Sequence, residues 1–511
     1  MTQNSPHSPL KTLVFLILMG AVVWSFSLLP EKVELTDTLT FRLPQWPHFQ
    51  EEGQEQERLA DANSFLEGYE DLLREDSIAE VKNAELREAA IEAAIEDSLA
   101  IDKQRRRKLL SIQEGPEGIR NLKSFFQTLM KLPDSGKKVR VMHYGDSQIE
   151  ADRITSYLRR EWQKKWGGQG PGLVPPVEVV PSGNIKQRAS EEWHRHTIYG
   201  RKDTTVKHTR FGALGTFASY DSTSASLFFE PSRLGYSNTR VFKSAKVFLG
   251  SYGKGGSVQL YQNEELIAEK TLCDSCGFTT LDAPISGEIN EIRLTFTGGP
   301  MECYGVAFDG NSGVQVDNIP MRGSSGTIFK KMDRTVFKQQ ISQLQPELLL
   351  LQYGGNSVPY VKDTVQAENY GKWLKSQIKY LQKVAPNAAI ILIGPSDMAH
   401  KEGDQFETYA FLEPVRDALK KAAFETNCGF WDIYEAMGGH NSMQAWVEAE
   451  PSLAGSDYVH FTPKGAKKIA ELFNKAVMDR YKIEQEQDQA EKKEIEQKSE
   501  PVIELEKEEK K

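Results

Sequence analysis

The sequence predicts an α/β protein built on a doubly wound parallel sheet that a segment of antiparallel strands interrupts. Two continuous apolar runs, 348–351 and 389–393, have the composition of strands buried on both faces of a parallel sheet. Helical stretches lie among these runs at 371–384, 412–425 and 464–479. Alternation of strands and helices along the chain favours this architecture over separate all-α and all-β units.

Length and charge limit the possible functions. A chain of 511 residues is too long for one compact core, so we expect several units. The net charge of −9 gives no argument for nucleic-acid binding. Residues 51–102 hold 17 acidic and four basic residues, and residues 481–511 hold 11 acidic and seven basic ones. The rest of the chain therefore carries +8, which favours an anionic partner.

The N-terminal segment has the pattern of a membrane anchor. Residues 12–29 are an uncharged apolar run of 18 residues, just long enough to span a bilayer. We expect residues 1–30 to form a retained transmembrane anchor, and a signal peptide cleaved near residues 25–27 is the alternative. Residues 31–110 are predicted as a proline-containing linker followed by an acidic amphipathic helical stalk.

The first part of the α/β unit is assigned to residues 111–200. A short strand at 139–142 precedes Ser147, and a helical stretch begins at 154. Backbone N–H groups at such a helix start can face an oxyanion, although serine is also a common helix N-cap. His143, in the strand, is interpreted as a packed residue rather than a site residue.

Residues 201–311 are predicted to be a β-sandwich insert, because short alternating segments such as 225–229 and 292–296 are separated by Gly, Asn and Asp. The α/β unit then resumes at 312–480, and a charged tail occupies 481–511. Three aromatic residues in or near the insert are either sugar-stacking positions or ordinary packing residues: Trp193, Tyr220 and Tyr236.

Cys273 and Cys276 form a single C-x-x-C pair within the insert. Without a second pair or a neighbouring histidine, we expect no zinc site. Three alternatives stay open for these cysteines: a local disulfide, a bridge to Cys303, or reduced thiols.

Two further segments carry groups that a serine nucleophile needs. Asn356 follows the buried run at 348–351, and ligands of open α/β sheets bind beyond the carboxyl ends of the strands. Asp457 and His460 are three residues apart at the entrance of the last helix, where the carboxylate can orient the imidazole. The chain order Ser, Asp, His therefore predicts a serine hydrolase.

Together these segments resemble the SGNH (GDSL-type) hydrolase superfamily. The matching residues are Gly145, Asp146 and Ser147 of the first block, Gly354 and Asn356 of the third, and Asp457 and His460 of the fifth. The resemblance implies a flavodoxin-like three-layer fold that needs no metal or cofactor. It also implies Ser147 as nucleophile, His460 as general base and Asp457 as the residue that orients the base.

The resemblance further implies an oxyanion hole made of the backbone N–H of Ser147, the side chain of Asn356 and a glycine N–H of the second block. The segment 322–327 matches that block. Gly326 is the preferred glycine and Gly323 is the reserve.

Within the superfamily, the chain is similar to peptidoglycan O-acetylesterases of Gram-negative bacteria. The likeness rests on residues 145–152, the glycine-rich run 167–172 and a β module before the second block. It implies a periplasmic esterase that removes O-acetyl groups from cell-wall glycan through an acyl-serine, held at the inner membrane by residues 12–29. Those relatives often carry a histidine after the nucleophile, where this chain has Gln148, so the substrate stays open.

Two alternatives to the esterase remain at this point. One is an O-acetyltransferase of the same fold that passes the acyl group to an envelope polysaccharide rather than to water. The other is a non-catalytic envelope protein that binds glycan through the insert and the stalk.

Overall fold

The computed structural model describes residues 32–36, 39–42, 109–115, 120–178, 180–201, 203–251, 255–273 and 277–508. The chain divides into two units, Met1–Asp61 and Ala62–Lys511. In the first unit, strands β1 (Lys32–Thr36) and β2 (Leu39–Arg42) pair as an antiparallel hairpin within the segment predicted to be a linker.

The predicted anchor at 12–29 and all but the last two residues of the acidic stalk lie outside the described residues. None of the helices in the described ranges combines the length and the apolar character needed to cross a membrane.

The second unit is built on a five-stranded parallel sheet. Its strands are β3 (Lys138–Gly145), β15 (Gly313–Pro320), β16 (Pro346–Gln352), β17 (Ala389–Ile393) and β20 (Gly429–Trp431). Their order across the sheet is β15-β3-β16-β17-β20. Three strands end in register, because Gly145 lies beside both Pro320 and Gln352. The loops that follow these strands therefore begin next to one another.

Helices cover both faces of this sheet, so the predicted α/β fold is confirmed. The helices are α1 (Arg120–Ser135), α2 (Thr155–Trp166), α3 (Arg334–Leu344), α4 (Thr364–Val384), α5 (Leu412–Phe424), α6 (Ile433–Met437), α7 (Ser442–Glu448) and α8 (Pro463–Glu508). Leu348 and Leu350 pack into the core beneath α1, α2 and α8, whereas Leu349 and Leu351 pack into the core beneath α3, α4 and α5. The unbroken apolar run is thus explained by burial on both faces.

Helix α8 is much longer than the predicted stretch at 464–479, because it continues through the charged tail to Glu508. Arg480 pairs with Glu114, and Glu491 pairs with Lys123 on α1. Tyr481 is buried among the residues of the core beneath α1 and α2. Packing of α8 against the α/β unit therefore extends beyond residue 480, the predicted boundary of the tail.

Antiparallel strands interrupt the unit between its first and second parallel strands. They are β4 (Gly172–Val174), β5 (Ile185–Ala189), β6 (Trp193–Thr197), β7 (Thr216–Tyr220), β8 (Ser224–Pro231), β9 (Ser244–Ser251), β10 (Gly256–Gln262), β11 (Glu265–Thr271), β12 (Gly277–Pro284), β13 (Ile292–Gly298) and β14 (Met301–Asp309). They form two sheets, β11-β10-β13-β8-β5 and β12-β9-β14-β7-β6, with β4 beside β14. Residues of both sheets share one buried core.

The insert is fixed to the parallel sheet by buried ionic contacts. Arg140 on β3 donates to Asp317 at 2.5 Å and also pairs with Asp309 at the end of β14. The same Asp317 carboxylate accepts the backbone N–H of Leu173 at 2.8 Å. Burial of all three charged side chains makes removal of any one of them costly.

Two of the three aromatic residues singled out in the sequence are buried. Trp193 and Tyr220 are buried and pack edge to face at 5.1 Å, so they are packing residues.

Cys273 is disulfide-bonded, whereas Cys303 is free and buried. This excludes the bridge to Cys303 that the sequence left open, and Cys276 lies outside the described residues.

Candidate active site

The nucleophile candidate lies where the first parallel strand ends. Strand β3 ends at Gly145, and Ser147 begins a 3₁₀ helix (Ser147–Asp152) whose N-cap is Asp146. One carboxylate oxygen of Asp146 accepts the backbone N–H of Gln148 at 3.0 Å. This cap fixes the turn that presents Ser147 at the edge of the sheet.

Ser147 meets the histidine from the far end of the chain. Its Oγ lies 2.8 Å from Nε2 of His460, although the two residues are 313 positions apart. Nδ1 of His460 lies 2.6 Å from Oδ2 of Asp457, so three side chains form one continuous hydrogen-bonded chain. The geometry is that of a nucleophile, a general base and an orienting carboxylate.

Electrostatics hold Asp457 in the ionised form. Its second oxygen, Oδ1, accepts the backbone N–H groups of Val459 and His460, both at 3.0 Å. Burial alone would raise the pKa of Asp457, but the hydrogen bonds from His460 and Val459 outweigh it and hold that pKa at about 2. An ionised Asp457 accepts Nδ1–H of the imidazole, which leaves Nε2 as the acceptor for the Ser147 hydroxyl.

The loop that carries the histidine is supported by a hairpin that the sequence analysis did not identify. The hairpin consists of strands β18 (Ala399–Glu402) and β19 (Gln405–Thr408). Tyr458 has a left-handed backbone (φ 57°), and its ring stacks on Phe406 with centroids 3.6 Å apart. The Tyr458 carbonyl accepts the N–H of Ala399 at 3.0 Å. These contacts hold a strained turn two residues before His460.

Gln148 links the serine segment to the histidine loop. Its side-chain Nε2 donates to the Val459 carbonyl at 2.6 Å, and its Oε1 accepts the N–H of Phe461 at 3.4 Å. The side chain is buried, so these bonds are shielded from water. The residues immediately before and after His460 are therefore both tied to the residue that follows the nucleophile.

Asn356 lies in the same cavity as Ser147 and His460. Its Nδ2 donates to Oδ2 of Asp146 at 3.0 Å and to the Ser324 carbonyl at 3.3 Å. The amide is thus oriented by the residue that also caps the nucleophile turn. The structure brings Asn356 to the place where the sequence analysis expected it.

Gly326 is the glycine that the resemblance implies as an oxyanion donor. Its N–H donates to Oγ of Ser324 at 3.2 Å, and it does not line the described cavity. A Cβ at Gly326 would lie 2.7 Å from the ring of Tyr353, so this glycine is required for close packing. Gly323 has a φ of 73° and open space around it. Gly323 does not line the described cavity either, so the structure does not choose between the two glycines, and Gly326 stays the predicted donor.

The cavity beside Ser147 has a volume of about 240 Å³. Much of its wall is aromatic or apolar, formed by Tyr353, Pro359, Tyr360, Pro395, Met398 and Tyr409. Such a cavity suits a small acyl group or one sugar ring rather than a long lipid chain.

Buried polar groups lie beneath this cavity. His143 is fully buried, with Nδ1 at 2.8 Å from Thr155 Oγ1 and Nε2 at 3.1 Å from Gln352 Oε1. Burial lowers the pKa of His143 to about 4, which keeps the ring neutral at physiological pH. His143 is therefore the packed residue that the sequence predicted.

A charged pair flanks the site. Burial raises the pKa of Glu150, while the opposite charge of Arg322 at 2.8 Å acts in the other direction. Burial also raises the pKa of Asp146, despite the hydrogen bonds that it accepts. Burial therefore disfavours the ionised form of both carboxyl groups near Ser147.

Comparison with known proteins agrees with this geometry. Residues 302–468 match the family model of the GDSL-like lipase/acylhydrolase family, which confirms the resemblance seen in the sequence. The matched range contains Asn356, Asp457 and His460 but begins after Ser147. No curated protein gives a significant match.

A solved structure with a TM-score above 0.5 shows the same fold. A peptidoglycan O-acetylesterase is similar with a TM-score of 0.58 and 21% identity, covering 70% of this chain and 96% of that chain. An acetyl xylan esterase has a TM-score of 0.26 and 18% identity, covering 32% of this chain and 81% of that one. A family two carbohydrate esterase from Clostridium thermocellum, in complex with cellohexaose, has a TM-score of 0.25 and 12% identity, covering 56% and 98% of the two chains.

Proposed function

We propose that this chain, whose residues 302–468 match the family model of the GDSL-like lipase/acylhydrolase family, is a serine esterase that removes O-acetyl groups from cell-wall glycan. One observation carries the proposal. The hydroxyl of Ser147 lies 2.8 Å from His460, whose other ring nitrogen lies 2.6 Å from the Asp457 carboxylate, at the edge of a cavity.

The reaction follows from these contacts. Nε2 of His460 takes the proton of Ser147 while Oγ attacks the carbonyl carbon of an acetyl ester. In this proposal the developing oxyanion is held by the N–H groups of Ser147 and Gly326 and by the side chain of Asn356. One such donor is worth about 2.7–4 kcal/mol in other oxyanion holes.

The second half of the reaction restores the enzyme. His460 gives the proton to the leaving sugar oxygen, and an acetyl group stays on Ser147. The same imidazole then removes a proton from water, which attacks the acetyl carbonyl and releases acetate. The base then returns its proton to the serine oxygen.

Solvent access favours water as the acceptor over a second sugar. The side chains of His460 and Asp457 are 33% and 51% exposed, so water can reach the base that must activate it. The O-acetyltransferase remains the second candidate only because the same three residues serve both reactions. A labelled acetyl donor distinguishes them, since hydrolysis gives free acetate and transfer gives labelled polysaccharide.

The proposal of a glycan substrate rests on the shape of the cavity and on the similarity to a solved esterase structure. A small cavity with aromatic walls accommodates an acetyl group and part of a sugar ring. The peptidoglycan O-acetylesterase, which covers 70% of this chain, supports the same substrate class and a place in the cell envelope. We propose a periplasmic location, with residues 12–29 as the inner-membrane anchor and the insert as the module beside the catalytic unit.

The test is the release of acetate from purified O-acetylated peptidoglycan, with acetylated xylan and p-nitrophenyl acetate in parallel. The wild type should release acetate from peptidoglycan, and Ser147→Ala should lose turnover of all substrates while it keeps its thermal unfolding midpoint. Full activity of Ser147→Ala would remove the assignment. Hydrolysis of p-nitrophenyl acetate with no release from either glycan would refute the substrate class.

A further inference from the structure

We infer that Tyr360 forms a subsite on which a pyranose ring of the glycan stacks next to the acetyl group being cleaved. The inference deepens the proposed function and rests on it. Tyr360 lines the same cavity as Ser147 and His460. It also lies only four residues after Asn356, at the end of a short 3₁₀ helix (Val358–Tyr360).

The exposure of Tyr360 is unusual for a large aromatic residue. Its surface is 78% exposed, although soluble proteins generally bury most of an aromatic ring. Among the described residues it has no aromatic partner, whereas Tyr409 across the cavity packs against His400 at 4.5 Å. One flat apolar face at the mouth of the cavity is therefore left uncovered.

The exposure does not result from a loose backbone. The N–H of Tyr360 donates to the Ser357 carbonyl at 3.0 Å, and the N–H of Val361 donates to the Val358 carbonyl at 3.3 Å. Val358 is buried, and Pro359 restricts its own backbone torsion. A ring held outward by an ordered backbone loses little conformational freedom when a ligand covers it.

The chemistry of the occupant follows from the shape of the site. A pyranose ring has one face of C–H groups, which covers an aromatic ring, and hydroxyl groups at its edge, which stay in water. The ester carbonyl must reach Ser147 inside the cavity, so the sugar that carries it, or the next sugar along the chain, lies at the mouth where Tyr360 is.

The insert does not offer an equivalent face at the positions expected from the sequence. Trp193 is 8% exposed and Tyr220 is 1% exposed, so neither ring is available to a sugar. Tyr236 is partly covered by the guanidinium of Arg160, 4.5 Å from its ring centroid. The aromatic contact with glycan is therefore assigned to the catalytic unit.

The experiment compares O-acetylated peptidoglycan with p-nitrophenyl acetate, which has no sugar ring. For Tyr360→Ala, the ratio of kcat/KM on the glycan to kcat/KM on p-nitrophenyl acetate should fall about tenfold, through a higher KM for the glycan. Tyr360→Phe keeps the ring and should keep the ratio. Trp373→Ala is the matched control, because Trp373 on α4 is 62% exposed and does not line the described cavity.

Each outcome supports or overturns the inference. A ratio that falls in Tyr360→Ala alone supports the subsite. If the ratio is unchanged in Tyr360→Ala, the subsite inference is wrong but the proposed esterase function is unaffected. The same holds if the ratio falls equally in Trp373→Ala. A wild type that hydrolyses p-nitrophenyl acetate but releases nothing from glycan overturns the proposed function itself.

Discussion

Gln148 is predicted to position the general base, and Gln148→Met tests this. Methionine keeps the length and bulk of the side chain but neither donates to the Val459 carbonyl nor accepts from Phe461. In the wild type those bonds measure 2.6 and 3.4 Å and join both neighbours of His460 to the serine segment. The substitution therefore removes the hydrogen bonds from Gln148 to the two neighbours of His460 and leaves Ser147 and His460 unchanged.

The expected size of the effect comes from the stronger of the two bonds. A neutral hydrogen bond contributes about 0.5–1.5 kcal/mol net, and a buried carbonyl left without a partner costs about 1–3 kcal/mol. A displacement of about 1 Å between reacting groups lowers the rate by about 10²-fold. We therefore expect kcat for p-nitrophenyl acetate to fall roughly 10- to 100-fold, with a much smaller change in KM.

The assay needs a control that separates stability from positioning. Gln382→Met removes a comparable bond, in which the Gln382 amide donates to the Thr426 carbonyl at 2.7 Å, far from the cavity. Both variants should lower the thermal unfolding midpoint by similar amounts, but only Gln148→Met should lose kcat. Wild-type kcat in Gln148→Met, with the same loss of thermal stability as the control, would refute the positioning role.

Three further predictions follow from the buried and charged groups. Asp457→Asn should lower kcat by up to about 10⁴-fold because the ionised carboxylate no longer fixes the ring tautomer, and a loss under tenfold in a steady-state assay would contradict its role. His143 has a pKa of about 4 when folded, against about 6.5 when unfolded, so the unfolded state takes up the proton first as the pH falls. Between pH 7.5 and pH 5 the free energy of unfolding should therefore drop by about 2 kcal/mol more in the wild type than in His143→Gln. Urea titrations at the two pH values measure these drops, and equal drops in the two proteins would argue against the prediction. Arg140→Met leaves the carboxylates of Asp309 and Asp317 buried without their partner and should cost about 3–5 kcal/mol in the same titrations, whereas a change under 1 kcal/mol would show that the pairing is dispensable.

The sequence predicts those parts of the fold that are determined by the residue pattern of a single short segment. The run 348–351 is apolar at every position because alternate residues enter two different cores, and that requirement is visible in the sequence. The sequence also predicts the three segments that contain site residues, because each of them follows a strand or precedes a helix. These residues are Ser147, Asn356 and His460. Strand ends that lie in register then bring the loops together.

The parts that escaped prediction depend on contacts between distant segments. Gln148 gains its role from a carbonyl 311 residues away, and no local pattern marks such a bond. The contact of the Gly326 N–H with Oγ of Ser324 and the packing of Gly326 against Tyr353 likewise left no mark in the sequence. The length of α8 was underestimated because a charged composition does not reveal that Tyr481 packs into a core.

The central claim is that Ser147 is made nucleophilic by His460. The most direct measurement is mass spectrometry of the intact protein and its peptides after reaction with a fluorophosphonate probe. We expect one adduct, on the peptide that contains Ser147, which is absent from Ser147→Ala and forms at least about 100-fold more slowly in His460→Ala. An adduct on another serine, or labelling of Ser147 at the same rate without His460, would contradict it.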